Sequence, residues 1–343
     1  MNGISVIICT FNGKGRLLPV LEAISRQNFE KSRTELLVVD NCSNDGTDVW
    51  LSSITDDFPG ITLRIVKELR PGLNHARLRG VKESRYDIVL FCDDDNLLAE
   101  DYLSLGGQLL ESHPAIGALG GCGVPALGTE KPDWFDKRSH SYAVGAQAIR
   151  NGKIDFEMPE VYGAGAFFRK KYLIDFFEAG FDWATSDRTG KSLVSGGDVE
   201  MCYIVKLSGG EIWFDDRLVF HHMIPPHRLT WEYYGLLKVG ISSSIGCLLP
   251  YVYIFENRKG ATLGYYSFLC LQLILNTYLL LGLGAKHFIF NSQVNRHGRL
   301  LAIRTKKAII LSLVKSGLRG YSRVSMLKRF QAKSRVNSLI RIE

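Results

Sequence analysis

Strand-like and helix-like segments alternate through the first 125 residues of the chain. The strand-like runs are short and apolar, and the segments between them carry apolar residues at helical spacing. This alternation predicts right-handed βαβ crossovers, and therefore an α/β fold with a mostly parallel sheet flanked by helices. The predicted strands cover 4–9, 35–39, 61–66 and 87–92, a further strand starts at 116, and the predicted helices cover 15–27, 47–54, 73–84 and 100–112.

Three consecutive aspartates, Asp93, Asp94 and Asp95, follow the strand-like run at 87–92. An uninterrupted apolar run is typical of a strand buried on both faces of a parallel sheet, and ligands of open α/β sheets bind beyond the carboxyl ends of such strands. Because the three carboxylates repel one another, a divalent cation with oxygen ligands would stabilise them. The alternative is a solvated acidic turn that caps the next helix.

Two other predicted strands end in polar residues that should meet this triplet. The first ends in Thr10, Phe11 and Asn12, and the second ends at Asp40 in the turn-forming segment 38–47. The carboxyl ends of parallel strands meet in one crevice. The sequence contains neither a GxGxxG fingerprint nor a GxxxxGK[ST] loop, so a metal would take over the binding of nucleotide phosphates.

The net charge of +7 conceals an uneven distribution. Residues 286–343 contain fourteen Lys or Arg residues and one acid, whereas the first 285 residues contain 28 basic and 34 acidic residues. The basic amphipathic segment at 306–315 is typical of helices that bind anionic membrane surfaces. Nucleic-acid binding is the competing interpretation, but the tail has few aromatic residues and no recognition motif stands out. No nucleic-acid partner is therefore predicted.

Two uncharged stretches, 239–255 and 261–285, precede this tail. The second is 25 residues long, which is enough to span a bilayer, and the two together would suit a membrane hairpin. The alternative is a buried or interfacial helix pair. The start of the chain lacks the features of a signal peptide, and the seven cysteines form no CxxC pair, which favours reduced thiols in the cytosol. The predicted location is the cytoplasmic face of the cell (inner) membrane.

Seven short motifs extend from 9 to 222: CTFN at 9–12, VVDNCSNDGT at 38–47, RPGLNHARLRG at 70–80, FCDDDN at 91–96, YGAGAFFRK at 162–170, SGGDVE at 195–200 and FHH at 220–222. In order and spacing, this set resembles the family 2 glycosyltransferases, which have the GT-A fold. The resemblance implies a nucleotide-diphospho-sugar donor, a divalent metal and inversion at the anomeric carbon. It divides the chain into a GT-A domain (1–232), with a donor-binding half (1–125) and an acceptor half (126–232), and a helical, basic, membrane-associated region (233–343).

The resemblance assigns donor and metal contacts residue by residue. The implied donor-binding residues are Thr10, Phe11, Asn12, Asp40, Arg77, Asp93 and Asp94. The implied ligands of Mn²⁺ or Mg²⁺ are Asp95, Asp93 and His222. Three of these residues have simpler alternatives. Asp40 would suit a cap on the following turn, Arg77 a solvated helix position and His222 a structural role.

The resemblance also places the catalytic base at Asp198. An inverting transfer needs one carboxylate to take the proton of the attacking hydroxyl. Gly197 stands where the family often has Glu, so Glu200 is the candidate for a second carboxylate. The alternative role for Asp198 is the N-cap of a helix over 199–207. The acceptor side would be lined by Trp134, Gly163, Gly165, Glu200 and Trp231.

The predicted function is the inverting transfer of a sugar from a nucleotide-diphospho-sugar to an acceptor hydroxyl, in bacterial surface polysaccharide assembly. The acceptor would be a saccharide or a lipid-linked saccharide. One alternative is a metal-dependent nucleotidyltransferase, for which the glycine-containing segment 13–16 is a poor phosphate loop. The other alternative is an inactive, membrane-tethered protein that binds sugar nucleotides.

Overall fold

The computed structural model describes residues 2–58, 60–190, 192–256, 264–289 and 296–340. The strands and helices predicted for the first 112 residues are all present, and their ends agree with the prediction to within two residues. The strands are β1 (Ile4–Thr10), β2 (Thr34–Asp40), β3 (Thr62–Lys67), β4 (Ile88–Asp93), β5 (Asn96–Leu98), β6 (Ile116–Leu127), β7 (Gly152–Lys153), β8 (Ala166–Arg169) and β9 (Glu211–Ile224). The helices are α1 (Leu17–Ser25), α2 (Thr47–Ser53), α3 (Leu73–Glu83), α4 (Tyr102–Ser112), α5 (Lys170–Glu178), α6 (Gly197–Leu207), α7 (Trp231–Ser242), α8 (Ile245–Glu256), α9 (Tyr265–Ile289), α10 (Arg296–Ser312) and α11 (Gly320–Ile340).

Strand β1 lies at the centre of a parallel block. It pairs in parallel with β2 and β4, and β2 pairs in parallel with β3. The register places Thr10 opposite Asp40, and Cys9 opposite Asp93. The three strand ends that were predicted to form one crevice therefore lie together at one edge of the sheet.

Beyond β4 the sheet is mixed, with the order β3-β2-β1-β4-β8-β6-β9-β5 and with β7 paired to β9. Strand β8 runs antiparallel to β4 and β6, and β5 runs antiparallel to β9. The last pairing sets Asn96 opposite His222, which brings the histidine beside the aspartate triplet. His222 lies inside β9. Both predicted halves of the first domain contribute strands to this sheet.

Alternate residues of the buried strands face opposite sides of the sheet. Ile7 belongs to one apolar core and Ile8 belongs to the other. The core that contains Ile7 continues into the C-terminal helices, where Tyr251 of α8 and Leu327 of α11 are fully buried in it. The helices after 232 are therefore packed directly on the sheet domain.

The two uncharged stretches behave differently. Helices α7 and α8 are bent by 47° relative to each other, and together they are long and apolar enough for one broken membrane span. However, most residues of α8 are buried within the protein, which fits the buried-helix alternative and argues against a hairpin arm at 239–255. Helix α9 qualifies as a span by itself: Tyr265–His287 has a mean hydropathy of 1.8, and 11% of its most apolar window is buried. Residues 261–263 of the predicted stretch lie outside the described residues.

Candidate active site

A cleft of about 300 Å³ opens at the carboxyl edge of β1, β2 and β4. The aspartate triplet lines it, together with Thr10 and Phe11 from the end of β1. Further lining residues come from the loop before α6 and from the segment after β9: Arg188, Thr189, Gly190, Ser192, Leu193, Arg228 and Tyr233. The cleft therefore combines three carboxylates, several cations and two aromatic side chains, a composition suited to a charged ligand that carries a ring.

Asp94 is held by protein groups on two sides. Its Oδ2 atom accepts hydrogen bonds from Thr10 Oγ1 at 2.6 Å and from Arg16 Nη2 at 2.6 Å. Arg16 Nε also donates to Oδ1 of Asp94 at 2.9 Å, which makes the contact bidentate. A bidentate arginine fixes a carboxylate in orientation as well as in charge. Thr10, which was predicted to contact the donor, thus also positions an aspartate.

Asp95 has a different set of partners. Arg228 Nη1 donates to its Oδ2 atom at 2.9 Å, and His222 Nε2 lies 3.5 Å from the same oxygen. Burial raises the pKa of Asp95, but the hydrogen bond and charge of His222, followed by Arg228 and Arg188, outweigh burial and hold the pKa well below its usual range. Asp95 is therefore ionised and available to a cation.

His222 is oriented from its other side. Its Nδ1 atom lies 2.6 Å from the carbonyl oxygen of Tyr142, so Nδ1 carries the proton of that hydrogen bond. Burial lowers the pKa of His222, but the hydrogen bond and charge of Asp95 raise it above its usual value. The geometry places this histidine beside the triplet, as the resemblance implied.

Asp93 is the least compensated of the three aspartates. Burial and the charge of Asp95 raise its pKa, and Arg77 and Arg188 only partly oppose that rise. Among the described residues, no group of three His, Cys, Asp or Glu side chains is arranged as a complete metal site. Two carboxylates are nevertheless sufficient for a cation whose remaining ligands are phosphate oxygens and water. Asp93 and Asp95 fit that kind of site.

Two residues predicted to contact the donor, Asp40 and Asn12, hold the loops at the rim of the cleft. Asp40 is buried, and its Oδ1 atom accepts the Ser43 N–H at 3.2 Å, which is the turn-capping alternative. Asn12 has a φ of 55°, and its side-chain oxygen accepts the Asn44 N–H at 2.8 Å. Asn41, next to Asp40, lines the cleft. The end of β2 therefore meets the cleft through Asn41, the residue that directly follows the strand.

Arg77 is neither a solvated helix residue nor a lining residue of the described cleft. It is buried in α3, and its Nη1 atom donates to Oδ2 of Asp187 at 2.8 Å. Its guanidinium also lies over the Phe91 ring, 6.0 Å from the ring centroid. Burial lowers the pKa of Arg77, but the charges of Asp187, Asp198 and Asp93 raise it above its ordinary value. Arg77 therefore stays charged in the protein interior.

Asp198 lies in the first turn of α6. The helix begins at Gly197, and the N-cap residue is Gly196, so the alternative role of Asp198 as N-cap is wrong. Its Oδ2 atom accepts the Gly163 N–H at 3.2 Å, and its Oδ1 atom accepts the Val199 N–H at 3.0 Å. Gly163 and Asp198, two of the predicted site residues, are thus in direct contact.

The sequence placed Glu200 on the acceptor side, but the structure does not. Its carboxylate is fully buried and accepts hydrogen bonds from the N–H groups of Ala184 and Thr185 and from Tyr251 Oη. Arg323 of α11 donates to its Oε1 atom at 2.8 Å. A carboxylate with these partners ties α11 and the loop at 184–185 to α6, and it has no exposed oxygen for an acceptor.

The remaining predicted acceptor residues lie in packed surroundings. Trp134 and Trp231 contact each other edge to face, with ring centroids 5.7 Å apart, in an aromatic cluster. Gly165 has a φ of 71°, and its carbonyl accepts a hydrogen bond from the buried Tyr102 hydroxyl. A Cβ atom there would lie 2.6 Å from the Tyr102 oxygen. Gly165 is therefore required by core packing.

Sequence reasoning missed several residues of the site. Arg16 was considered only as part of a poor phosphate loop, and Asp187, Arg188, Arg228 and Tyr233 were given no role. The available signal was the position of basic residues beside glycines or prolines, in GKGR at 13–16, DRTG at 187–190 and PPHR at 225–228. Loops of this composition are common at ligand sites.

The family of the chain follows from comparison with known proteins. Residues 5–177, half of the chain, match the family described as Glycosyl transferase family 2. A glucosyl-dolichyl phosphate glucuronosyltransferase from Haloferax volcanii is 24% identical over 236 residues, which cover 67% of this chain and 72% of that protein. The chain therefore belongs to glycosyltransferase family 2. It is a nucleotide-sugar glycosyltransferase, and the nucleotidyltransferase alternative is set aside.

Solved structures define the fold class. The mannosyltransferase PcManGT from Pyrobaculum calidifontis, in complex with GDP-Man and Mn²⁺, gives a TM-score of 0.53 at 18% identity and covers 99% of this chain and 88% of that chain. TarS 1–349 from S. aureus, in complex with UDP-GlcNAc, gives a TM-score of 0.50 at 15% identity and covers 95% of this chain and 91% of that chain. The predicted GT-A fold, followed by a helical region with one apolar helix, is confirmed.

Proposed function

We propose that this glycosyltransferase is a metal-dependent, inverting enzyme with Asp198 as its general base. The observation that carries the proposal is the position of the buried Arg77, which has Asp198 and Asp93 as charged neighbours in addition to its partner Asp187. A single guanidinium thus connects the base to the carboxyl end of β4. The donor would bind at that end, and the acceptor hydroxyl would approach from the side of Asp198.

Asp93 and Asp95 would hold a divalent cation, with His222 beside Asp95. The mannosyltransferase of similar fold that was solved with GDP-Man and Mn²⁺ supports this assignment. When bound, the cation would neutralise charge on the departing nucleoside diphosphate. Three arginines line the same space and suit the oxygens of a diphosphate: Arg16, Arg188 and Arg228.

Asp198 would take the proton of the acceptor hydroxyl. As that proton leaves, the hydroxyl oxygen forms a bond to the anomeric carbon of the donor sugar. The bond from this carbon to the diphosphate oxygen breaks on the opposite face, and its electron pair leaves with the nucleoside diphosphate. The product sugar therefore has the inverted configuration. The Gly163 N–H holds Asp198 at the first turn of α6 and orients it for this role.

The acceptor would be a lipid-linked saccharide, used at the cytoplasmic face of a membrane in the assembly of a surface polysaccharide. Helix α9 supports membrane contact because it is apolar and largely unburied. The basic residues after 285 would attract anionic lipid. The relative from Haloferax volcanii, whose name includes glucosyl-dolichyl phosphate, supports an acceptor of this class.

The test is donor hydrolysis, in which water replaces the acceptor. The full chain is incubated with UDP-GlcNAc or GDP-Man, with Mn²⁺ or with a chelator, and the released UDP or GDP is measured. We expect Mn²⁺-dependent release, and rapid NMR should find the freed sugar with the inverted configuration. Binding of both donors without turnover would support the inactive alternative and overturn the proposal. Retention of configuration would overturn the assignment of an inverting base.

A further inference from the structure

Gly197, the first residue of α6, has no room for a side chain. A Cβ atom there would lie 2.3 Å from Oδ2 of Asp187 and 2.0 Å from Oδ1 of Asn74. Real Cβ atoms do not approach other atoms this closely. The glycine is therefore required by the two side chains that meet it, and the carboxylate of Asp187 occupies the space directly before Asp198.

Asp187 is held in this place by three donors. Its Oδ2 atom accepts from Arg77 Nη1 at 2.8 Å and from the Gly197 N–H at 3.0 Å, and its Oδ1 atom accepts from the Arg188 N–H at 2.8 Å. The residue has a φ of 50° and is buried. Left-handed backbone is uncommon outside glycine, and it persists where surrounding contacts fix it. The loop thus keeps a costly conformation that places this carboxylate against α6.

Arg77 connects Asp187 to Asp198. A Cβ atom at Gly163 would lie 2.8 Å from Nη2 of Arg77 and 3.0 Å from Cβ of Asp198, so both side chains pack on the same side of Gly163. Because Nη1 donates to Asp187, Nη2 is the guanidinium nitrogen on the Asp198 side. The guanidinium therefore presents one terminal nitrogen to each of these two regions.

We propose that Asp187 and Arg77 form a positioning pair for Asp198, an inference that rests on Asp198 being the base in the proposed function. Asp187 fixes the guanidinium and shares its charge. Arg77 can then orient Asp198 without binding it so strongly that it stops being a base. Neither member of the pair has to touch either substrate for this role.

Other titratable groups face the same cluster: Asp93, Cys9, Glu160, Tyr162 and Cys202. Burial raises the pKa of both thiols and of the Tyr162 hydroxyl, so these three groups are neutral near pH 7. Asp93 and Glu160 are the remaining carboxylates, and both are kept unchanged in the variants below. Because Arg77 also lowers the pKa of Asp93, donor and Mn²⁺ binding are measured at each pH beside kcat, and a shift in kcat without a shift in binding is assigned to Asp198.

The first variant is Asp187→Asn, whose amide oxygen can still accept the Gly197 N–H. The negative charge is lost, so the whole charge of Arg77 acts on Asp198. A neighbouring opposite charge lowers a carboxyl pKa by about 1 or more. The acid limb of the pH profile, where kcat falls because the base Asp198 becomes protonated, should therefore move to lower pH by about one pH unit. At pH 8, kcat for Mn²⁺-dependent hydrolysis of UDP-GlcNAc or GDP-Man should fall by up to about 100-fold, with donor binding unchanged.

The second variant is Arg77→Gln, which leaves two carboxylates without their shared cation. Like charges raise a carboxyl pKa, so the acid limb should move to higher pH, opposite to the first variant. If Arg77→Gln alone does not fold, the double variant with Asp187→Asn removes the buried unpaired charge. The double variant should return the acid limb towards its wild-type position.

Glu35→Gln is the matched structural control. Glu35 is a buried carboxylate paired with Arg64 at 2.6 Å, at the opposite end of β2 from the cleft. It should lower the melting temperature without moving the acid limb. If Asp187→Asn leaves the limb in place while Asp198→Asn is inactive, the positioning pair is overturned and the base stands. If Asp198→Asn hydrolyses donor like wild type, the proposed function itself fails.

Discussion

Arg228 Nη1 lies 2.9 Å from Oδ2 of Asp95, although 133 positions separate the two residues in the chain. A second arginine, Arg16, binds Asp94 at 2.6 Å across 78 positions. The aspartate triplet thus receives protein cations from loops on both sides of the cleft. The mutual repulsion of its carboxylates, for which the sequence suggested only a metal, is offset in part by these arginines.

Asp95→Ala should abolish Mn²⁺-dependent donor binding and leave the fold intact. The substitution removes the one carboxylate of the triplet whose neighbours keep its pKa well below the usual range, and it frees Arg228 and His222 from their shared partner. Calorimetry with Mn²⁺ and UDP-GlcNAc or GDP-Man measures the effect. Glu211→Gln, which breaks an exposed pair with Lys153 at the start of β9, is the control and should bind like wild type. A variant Asp95→Ala that binds Mn²⁺ and donor as tightly as wild type would exclude the metal assignment.

Asp198→Asn should bind donor nearly normally and lose turnover by about 10²–10⁴-fold, the usual scale for general base catalysis. The amide can still accept the Gly163 N–H that now reaches Oδ2, so the geometry of the first turn of α6 is retained. Steady-state hydrolysis of donor gives kcat, and calorimetry gives the dissociation constant. Near-wild-type turnover would remove Asp198 from the mechanism.

The strand ends were predictable because each depends on a short stretch of sequence. An apolar run followed by Asp93–Asp95 needs only the rule that parallel strands end at one edge. The ion pairs were not predictable, because Arg77 and Asp187 are 110 positions apart and meet only once the loop before α6 has folded. The same holds for Glu200, which resembled a site residue by its spacing from Asp198 and is instead buried by a helix from the far end of the chain. Local pattern located the edge of the sheet, and tertiary packing decided which side chains face the cleft.

Glu160 should make stability depend on pH near neutrality. The Glu160 side chain is solvent-exposed, but neighbouring protein groups partly desolvate its carboxyl group, and this desolvation, followed by the negative charge of Asp198, raises its pKa from 4.5 to about 7. Because solvent screens an exposed group, the effect on stability should be small. Between about pH 4.5 and pH 7, Glu160 is protonated in the folded protein and ionised in the unfolded chain. Its contribution to the free energy of unfolding therefore falls as the pH rises through this range. Glu160→Gln removes this dependence. The melting temperature of the variant minus that of wild type should therefore increase from pH 5 to pH 8. A difference that stays constant across that range would contradict the assignment.

Arg323→Met should lower the free energy of unfolding by about 3 kcal/mol, the lower end of the range for breaking a buried ion pair. The fully buried Glu200 would lose its charged partner but keep the donors from Thr185 and Tyr251. Urea unfolding measures the change. Arg319→Met, at an exposed position just before α11, is the control and should stay within about 0.5 kcal/mol of wild type. Adding Glu200→Gln to Arg323→Met should recover part of the loss, and the absence of recovery would show that the pair is not the cause.

Helix α9 should hold the protein on a membrane by apolar contact. Ile274, Tyr278 and Leu281 recur at helical spacing, and their exposed fractions are 65%, 74% and 68%. The exposed basic residues Lys307 and Lys315 add attraction to anionic lipid of about 1 kcal/mol each when near the surface. Because salt at about 1 M screens charges beyond about 3 Å, an attachment by charge alone should wash off, whereas an inserted apolar face should not.

The two contributions can be separated with two variants of the full chain. Replacing Ile274, Tyr278 and Leu281 with Ser should release the protein from membranes in about 1 M salt, where wild type stays in the pellet because its apolar face remains inserted. Replacing Lys307 and Lys315 with Gln should weaken binding to anionic vesicles at low salt but leave the salt-resistant fraction unchanged. Wild-type protein recovered in the soluble fraction at low salt without detergent would refute anchoring. The exposed face of α9 would then have to be covered by another protein surface, and sedimentation velocity would reveal the oligomer.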